Sequence, residues 1–312
     1  MNESIGVLMM AYGGPDKLAD IEAYLHDVRG GRQISKAQVA EIVRRYELVG
    51  GRSPLLEETQ AQARGLQAEL DKLEPPLFQV FVGMRHWHPT IPKAVSDIAS
   101  ANIKKLVALV MAPHYSKMSV EVYFKRLDET LDDLSAHIEV AHIDSWKEDP
   151  GYLDTLEAHI RDGLKEIPDS VEPNTHLVFT AHSLPESILS WNDPYPQELR
   201  ATCRALQSRF PDRETHFAYQ SAAMLPDPWL GPDAGDLMVN LITQGIKNFL
   251  VVPIGFVARN VEILYDIDIA FKEQVKAAGG MLWRIKMPGS NPLMMASLGR
   301  LVRQTAKTER WL

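Results

Sequence analysis

The sequence predicts an α/β protein built from two similar doubly wound halves. Three observations carry this prediction. Eight short, apolar, β-branched runs recur along the 312 residues. Helical pattern separates most of them, which implies parallel sheets with helical crossovers. The runs also sort, in order, into two sets of four with matching ends. The first ends MAYGGP and the fifth TAHSLP. In both, Ala precedes an aromatic or imidazole side chain and Pro follows three residues after it. The third ends VMAPHYS and the seventh VVPIGFV, each with a proline at the strand end.

The strand runs span 5–12, 78–86, 105–113, 137–144, 175–183, 215–222, 248–257 and 281–288. Their apolarity is continuous, as in sheets covered on both faces. The stretches 57–73 and 150–167 are amphipathic at helical spacing. Segment 27–55 is long for a simple crossover, which marks it as a functional insertion. PDSVEPN, 168–174, reads as a linker. The domains are taken as 1–150, carrying that insertion, and 151–312, with the last helix packing back on the first domain.

Composition narrows the class. The chain is 45% hydrophobic and 24% charged, with net charge -8 and no long basic stripe, so nucleic acid is not an expected partner. The single cysteine, Cys203, cannot form an internal disulfide or hold an iron–sulfur cluster alone. That usage fits the cytoplasm. The N-terminus lacks the pattern of a secretory signal. No apolar run reaches the roughly 18 residues that a membrane span needs. G-x-G-x-x-G, P-loop, H-E-x-x-H and G-x-S-x-G signatures are all missing.

In doubly wound sheets, ligands bind beyond the carboxyl ends of the strands. Two facing lobes would set Tyr12 and His182 on opposite walls of one cleft. Of the other histidines, His86, His88 and His114 stand near strand ends, with a structural role as the alternative for each. Glu262 and Asp266 lie four apart among apolar neighbours in NVEILYDIDIAF, where carboxylates are costly without a partner. A metal ion, a proton to relay or a basic side chain would supply one. Histidine with glutamate suits a transition ion in passage. Arg29, Arg32, Arg44, Arg45 and Arg52 cluster with Ser53 in and before RRYELVGGRSPL. Guanidinium groups bind carboxylates in bidentate fashion, though solvated arginines on a helix face are the alternative.

MAYGGP, RRYELVGGRSPL, APHYS, AHSLPE with DPYP, QSAAMLPDPWLGPD and GFVARNVEILYDID together resemble the ferrochelatase family, from about Gly6 to Pro288. The likeness is to the short bacterial type that acts on coproporphyrin III. It implies two Rossmann-like domains, each with a four-stranded parallel sheet, around a porphyrin cleft. It implies insertion of ferrous iron into the tetrapyrrole with loss of two pyrrole protons. Carried over by motif, His182 and Glu262 would be the catalytic and metal-handling pair. Tyr12 would be the axial ligand to iron in the product. Arg29, Arg45, Tyr46, Ser53 and Tyr123 would hold the porphyrin, chiefly its propionates.

The resemblance further implies Fe2+ as substrate, no permanently bound cofactor, a monomer and no stable membrane insertion. A transient hand-over to a downstream coproheme-processing enzyme follows from the same likeness. Tyr12 bears on subtype, since protoporphyrin IX members typically carry an aliphatic residue there, in a pattern like NLGGP. Protoporphyrin IX, a cobalt or nickel chelatase and a non-enzymatic tetrapyrrole carrier are the alternatives. One departure from the family pattern concerns a row of acids at i, i+4 and i+8. Here it reads Glu262, Asp266, Ala270, and Asp268 lies on another face of an α-helix unless a π-bulge rotates it.

Overall fold

The structure, a computed structural model, describes residues 4–72, 77–223 and 227–312. Leu73, the end of the expected helix 57–73, and residues 224–226 of the QSAAMLPDPWLGPD motif lie outside them.

The first half runs β1 (Ile5–Ala11), α1 (Ile21–Val28), α2 (Lys36–Leu48), α3 (Leu55–Leu70), β2 (Phe78–Met84), α4 (Ile91–Ser100), β3 (Lys105–Val110), α5 (Val120–Asp133), β4 (Glu139–Ile143) and α6 (Pro150–Lys165). The second runs β5 (Thr175–His182), α7 (Tyr195–Gln207), β6 (Thr215–Gln220), α8 (Ala234–Thr243) and β7 (Asn248–Pro253). A π-helix, Glu262–Phe271, then continues into α9 (Lys272–Ala277), followed by β8 (Met281–Arg284) and α10 (Pro292–Thr308).

Each half forms a four-stranded parallel sheet, and the two strand orders correspond: β2-β1-β3-β4 and β6-β5-β7-β8. The doubly wound expectation and the two sets of four are therefore met. In both sheets the order reverses beside the first strand, between β1 and β3 and between β5 and β7. That is where α/β sheets open a crevice at their carboxyl edge.

Every residue of β1 is buried, which explains its unbroken apolar sequence. One large cluster joins Val7 and Met9 of β1 to Leu66 of α3, Leu156 of α6, Phe179 of β5 and Leu298 of α10. The inner faces of both sheets thus share one apolar layer. Separate clusters cover the outer faces, one under α4 and α5, the other under α8, the π-helix and α9. α10 packs along α3 and α6. Caps set several helix starts: Ser35 and Gln38 form a reciprocal capping box on α2, and Asp149 caps α6.

The strand runs of the sequence overshoot the strands at their carboxyl ends. Pro253 ends β7, yet Ile254 and Val257 beyond it are buried as well. The turns at this edge are apolar because they line a crevice that the other half covers.

Candidate active site

A cleft of about 480 Å3 lies between the carboxyl edges of the two sheets. Its size falls within the roughly 300–1,000 Å3 of small-molecule sites. Tyr12, just past β1, and Met111, just past β3, line it from the first sheet. His182, the last residue of β5, and Gly255–Val257, beyond β7, line it from the second. Tyr12 and His182 therefore share one cavity, as the repeat of strand ends implies. The segment 27–55 contributes Val28, Arg32, Tyr46, Ser53 and Leu55 to the wall, so the long excursion is part of the cleft.

The two glycines of MAYGGP are required by close approach. Gly13 has φ +93, and a Cβ there would sit 2.9 Å from the Trp87 nitrogen. At Gly14 a Cβ would lie 2.5 Å from Ser53 Oγ. The turn after β1 is thus pressed against both the β2 end and the excursion.

His182 Nε2 lies 3.3 Å from Glu262 Oε1, and its Nδ1–H donates to the Ser183 carbonyl. The side chain is about a third open to the cleft yet deep below the protein surface. Burial opposes the imidazolium, but the Glu262 carboxylate, helped by the Ser183 carbonyl and Asp266, outweighs it and lifts the pKa to about 9. The free enzyme therefore holds His182 protonated at neutral pH. The Tyr195 hydroxyl donates to the His182 carbonyl at 2.9 Å and fixes the strand end. This explains DPYP: buried Asp193 accepts from the Tyr195 nitrogen and, across the halves, from Ser116 Oγ and the Lys117 nitrogen. Trp229 and Phe256 flank the imidazole with centroids 6.4 and 6.5 Å away.

Glu262 opens the π-helix and Asp266 follows one turn on. Burial raises the Asp266 carboxyl to about 6. Ser221 Oγ donates to it at 2.5 Å, from a backbone with φ +61. Buried Thr180 and Gln220 continue this chain, Thr180 Oγ1 donating to Gln220 Oε1 at 2.8 Å. The helix is π, as the exception to the α reading allowed, but Asp268 does not join the cleft. It forms a two-pronged ion pair with Arg284 at 2.7 and 2.8 Å.

Tyr12 stands against His86, ring centroids 4.6 Å apart. Burial pushes its pKa up to about 12, with the Glu262 charge adding to the rise. His86 Nδ1–H donates to Asp27 Oδ2 at 2.8 Å, and burial lowers its pKa. His88 is exposed. His114 borders the cleft but is buried, 2.8 Å from Thr202 Oγ1, and burial holds its pKa down at about 3.

The expected porphyrin-holding residues divide. Tyr46, Ser53 and Tyr123 line the cleft, and burial keeps both phenols protonated. Arg29 and Arg45 do not line it. Arg29 terminates α1, its carbonyl accepting from Arg32 Nε at 3.1 Å. Arg45 pairs with Glu41 at 2.9 Å, lies 3.9 Å from Asp266 and stacks over the Tyr265 ring at 4.8 Å. Arg44 donates to the Tyr265 hydroxyl at 2.6 Å. Together these bonds fasten α2 to the π-helix. In place of Arg29 and Arg45, the wall carries Arg32 and Arg85. Arg85 went unmarked in MRHWHP because the two histidines beside it carry the commoner metal-site signal. Among the described residues no three His, Cys, Asp or Glu side chains converge as a metal cage.

Two parallel sheets facing each other across a crevice define the chelatase fold, and SirB from Bacillus subtilis, solved with Fe3+, superposes with a TM-score of 0.61 at 12% identity, covering 98% of this chain and 97% of its own. The Ferrochelatase family profile matches residues 4–306. A ferrochelatase of Deinococcus radiodurans is 40% identical over 97% of this chain and 96% of its own length. A coproporphyrin III ferrochelatase of Oceanobacillus iheyensis is 36% identical over 98% of each. The chain belongs to the ferrochelatase family: it is a lyase of haem biosynthesis that inserts iron into a porphyrin.

Proposed function

We propose that this enzyme inserts ferrous iron into coproporphyrin III, giving coproheme and two protons. The observation that carries the reading is Tyr12 standing in the same cleft as the His182–Glu262 pair. Relatives named coproporphyrin III ferrochelatase, at 34–36% identity, support the substrate.

Insertion requires that two pyrrole protons leave and that the ion shed its water. His182 is the first protein ligand and the proton acceptor. It enters the reaction once it has passed its own proton toward Glu262 and on toward Asp266, whose carboxyl burial raises to about 6. Two protein donors are fewer than the three or four that hold a resident metal, so the ion is released readily to the ring. Tyr12 approaches the opposite face and ligates the product iron. Tyr46, Ser53 and Tyr123 contact the macrocycle. Arg45 engages it after leaving Glu41 and Asp266, and Arg29 closes on its edge. The protein works as a monomer and hands coproheme to a later enzyme.

The test compares turnover of coproporphyrin III and protoporphyrin IX with ferrous iron, without oxygen. A higher kcat/KM for coproporphyrin III is expected. Preference for protoporphyrin IX would overturn the substrate assignment and leave the family intact.

A further inference from the structure

Arg85 is a guanidinium in the wall of a cleft with no acid beside it. Its backbone nitrogen donates to the Ala11 carbonyl at 2.9 Å, which prolongs the β1–β2 pairing and fixes where the side chain starts. The guanidinium stacks over the rings of Tyr123 at 5.5 Å and Tyr12 at 5.9 Å. These ring contacts supply no carboxylate or carbonyl to the edge of the group, with its five N–H donors. Among the described residues no carboxylate or carbonyl accepts from that edge. The carboxylate nearby, Asp27, is taken by His86. Of the other arginines of the region, Arg44 and Arg45 are both bound to Glu41, and Arg32, also in the wall, donates its Nε to the Arg29 carbonyl.

A half-buried cation with its donors unpaired is costly, and the cost is recovered when an anion of matching geometry arrives. A carboxylate is planar and accepts two parallel N–H bonds. We propose that Arg85 is a carboxylate-binding subsite of the cleft and takes one acid side arm of the porphyrin. This rests on the porphyrin reading above. The cleft is then polar in charge: the arm-binding cation lies on the Tyr12 wall, and the Glu262 carboxylate lies on the other.

The test is a metal-free titration followed by fluorescence quenching, with wild type, Arg85→Gln and Arg85→Lys. The two probes are coproporphyrin III and etioporphyrin, the same ring with each propionate replaced by ethyl. Arg85→Gln is expected to weaken coproporphyrin III binding about ten- to a hundred-fold, the scale of a lost charged hydrogen bond. Etioporphyrin should be held within about twofold by all three proteins, and Arg85→Lys should be intermediate because a point charge lacks the fork. Equal losses on both rings would mean that Arg85 only packs the tyrosines, and an unchanged coproporphyrin III affinity would also overturn the proposal. If Arg85→Gln loses its fold by circular dichroism, Arg85→Lys decides by the same comparison of rings. A wild type that binds coproporphyrin III but inserts no iron would sink the proposed reaction and leave this subsite standing.

Discussion

His182 Nε2 and Glu262 Oε1 lie 3.3 Å apart, joined from the end of β5 and the first turn of a π-helix. The contact keeps a proton on the group that, in the proposed reaction, presents a lone pair to iron. Metal and proton therefore compete for one nitrogen.

Replacing that nitrogen is the first test. His182→Ala should cut iron insertion by about 10²–10⁴-fold, the usual worth of a positioned acid–base group. Metal-free porphyrin should bind within about twofold of wild type, because the ring's contacts lie mainly elsewhere. Stopped-flow metallation and fluorescence titration separate the two. Retained turnover removes His182 from the mechanism.

The second test is pH. His182 in the free enzyme sheds its proton only near pH 9. Since kcat/KM reports the free enzyme, it should climb from neutral pH and level there. Glu262→Gln removes the largest influence that raises the imidazole, so the rise should move to lower pH. A profile flat between neutrality and pH 9 contradicts the pairing.

Stability should follow the same proton. The folded pKa, about 9, lies above the ordinary 6.5. The pair's contribution is therefore full below 6.5 and lost as pH rises through 9. Thermal midpoints of wild type should fall across that window, and those of Glu262→Gln should fall less.

Ser221 offers a backbone test. Ser221→Ala deprives Asp266 of its hydroxyl donor and should cost about 1–3 kcal/mol. A non-glycine residue at φ +61 carries a further strain. Ser221→Gly relieves it and should recover about 1 kcal/mol relative to the alanine variant. Urea midpoints give the comparison, and a glycine variant less stable than the alanine one refutes the strain account.

Gly14→Ala places a methyl group 2.5 Å from Ser53 Oγ. Overpacking of this sort costs about 1–3 kcal/mol. It should also raise KM for the porphyrin more than it lowers kcat, because the displaced turn is part of the wall. Unchanged KM and stability would mean that the excursion yields freely.

The sheets were legible because parallel strands buried on both faces write their burial as unbroken apolar runs, and because the halves repeat. Tyr12 and His182 were legible for the second reason alone. Arginine placement was not. Arg45 pairs with Glu41 and lies near Asp266, and that placement depends on how α2 meets the π-helix. Arg85 was invisible because its meaning lies in what it lacks, and a sequence records no missing partner. The π-helix was legible only as an exception to the α reading, because i+4 and i+5 spacings look alike in ILYDID. Asp268 was lost to Arg284, seated on a strand that the local pattern does not connect with it.

The final helix has a mechanical consequence. α10 lies along α3 and α6 and buries Leu298 and Val302 in the layer common to both sheets. Swinging the halves apart like a jaw would tear that seam along its length.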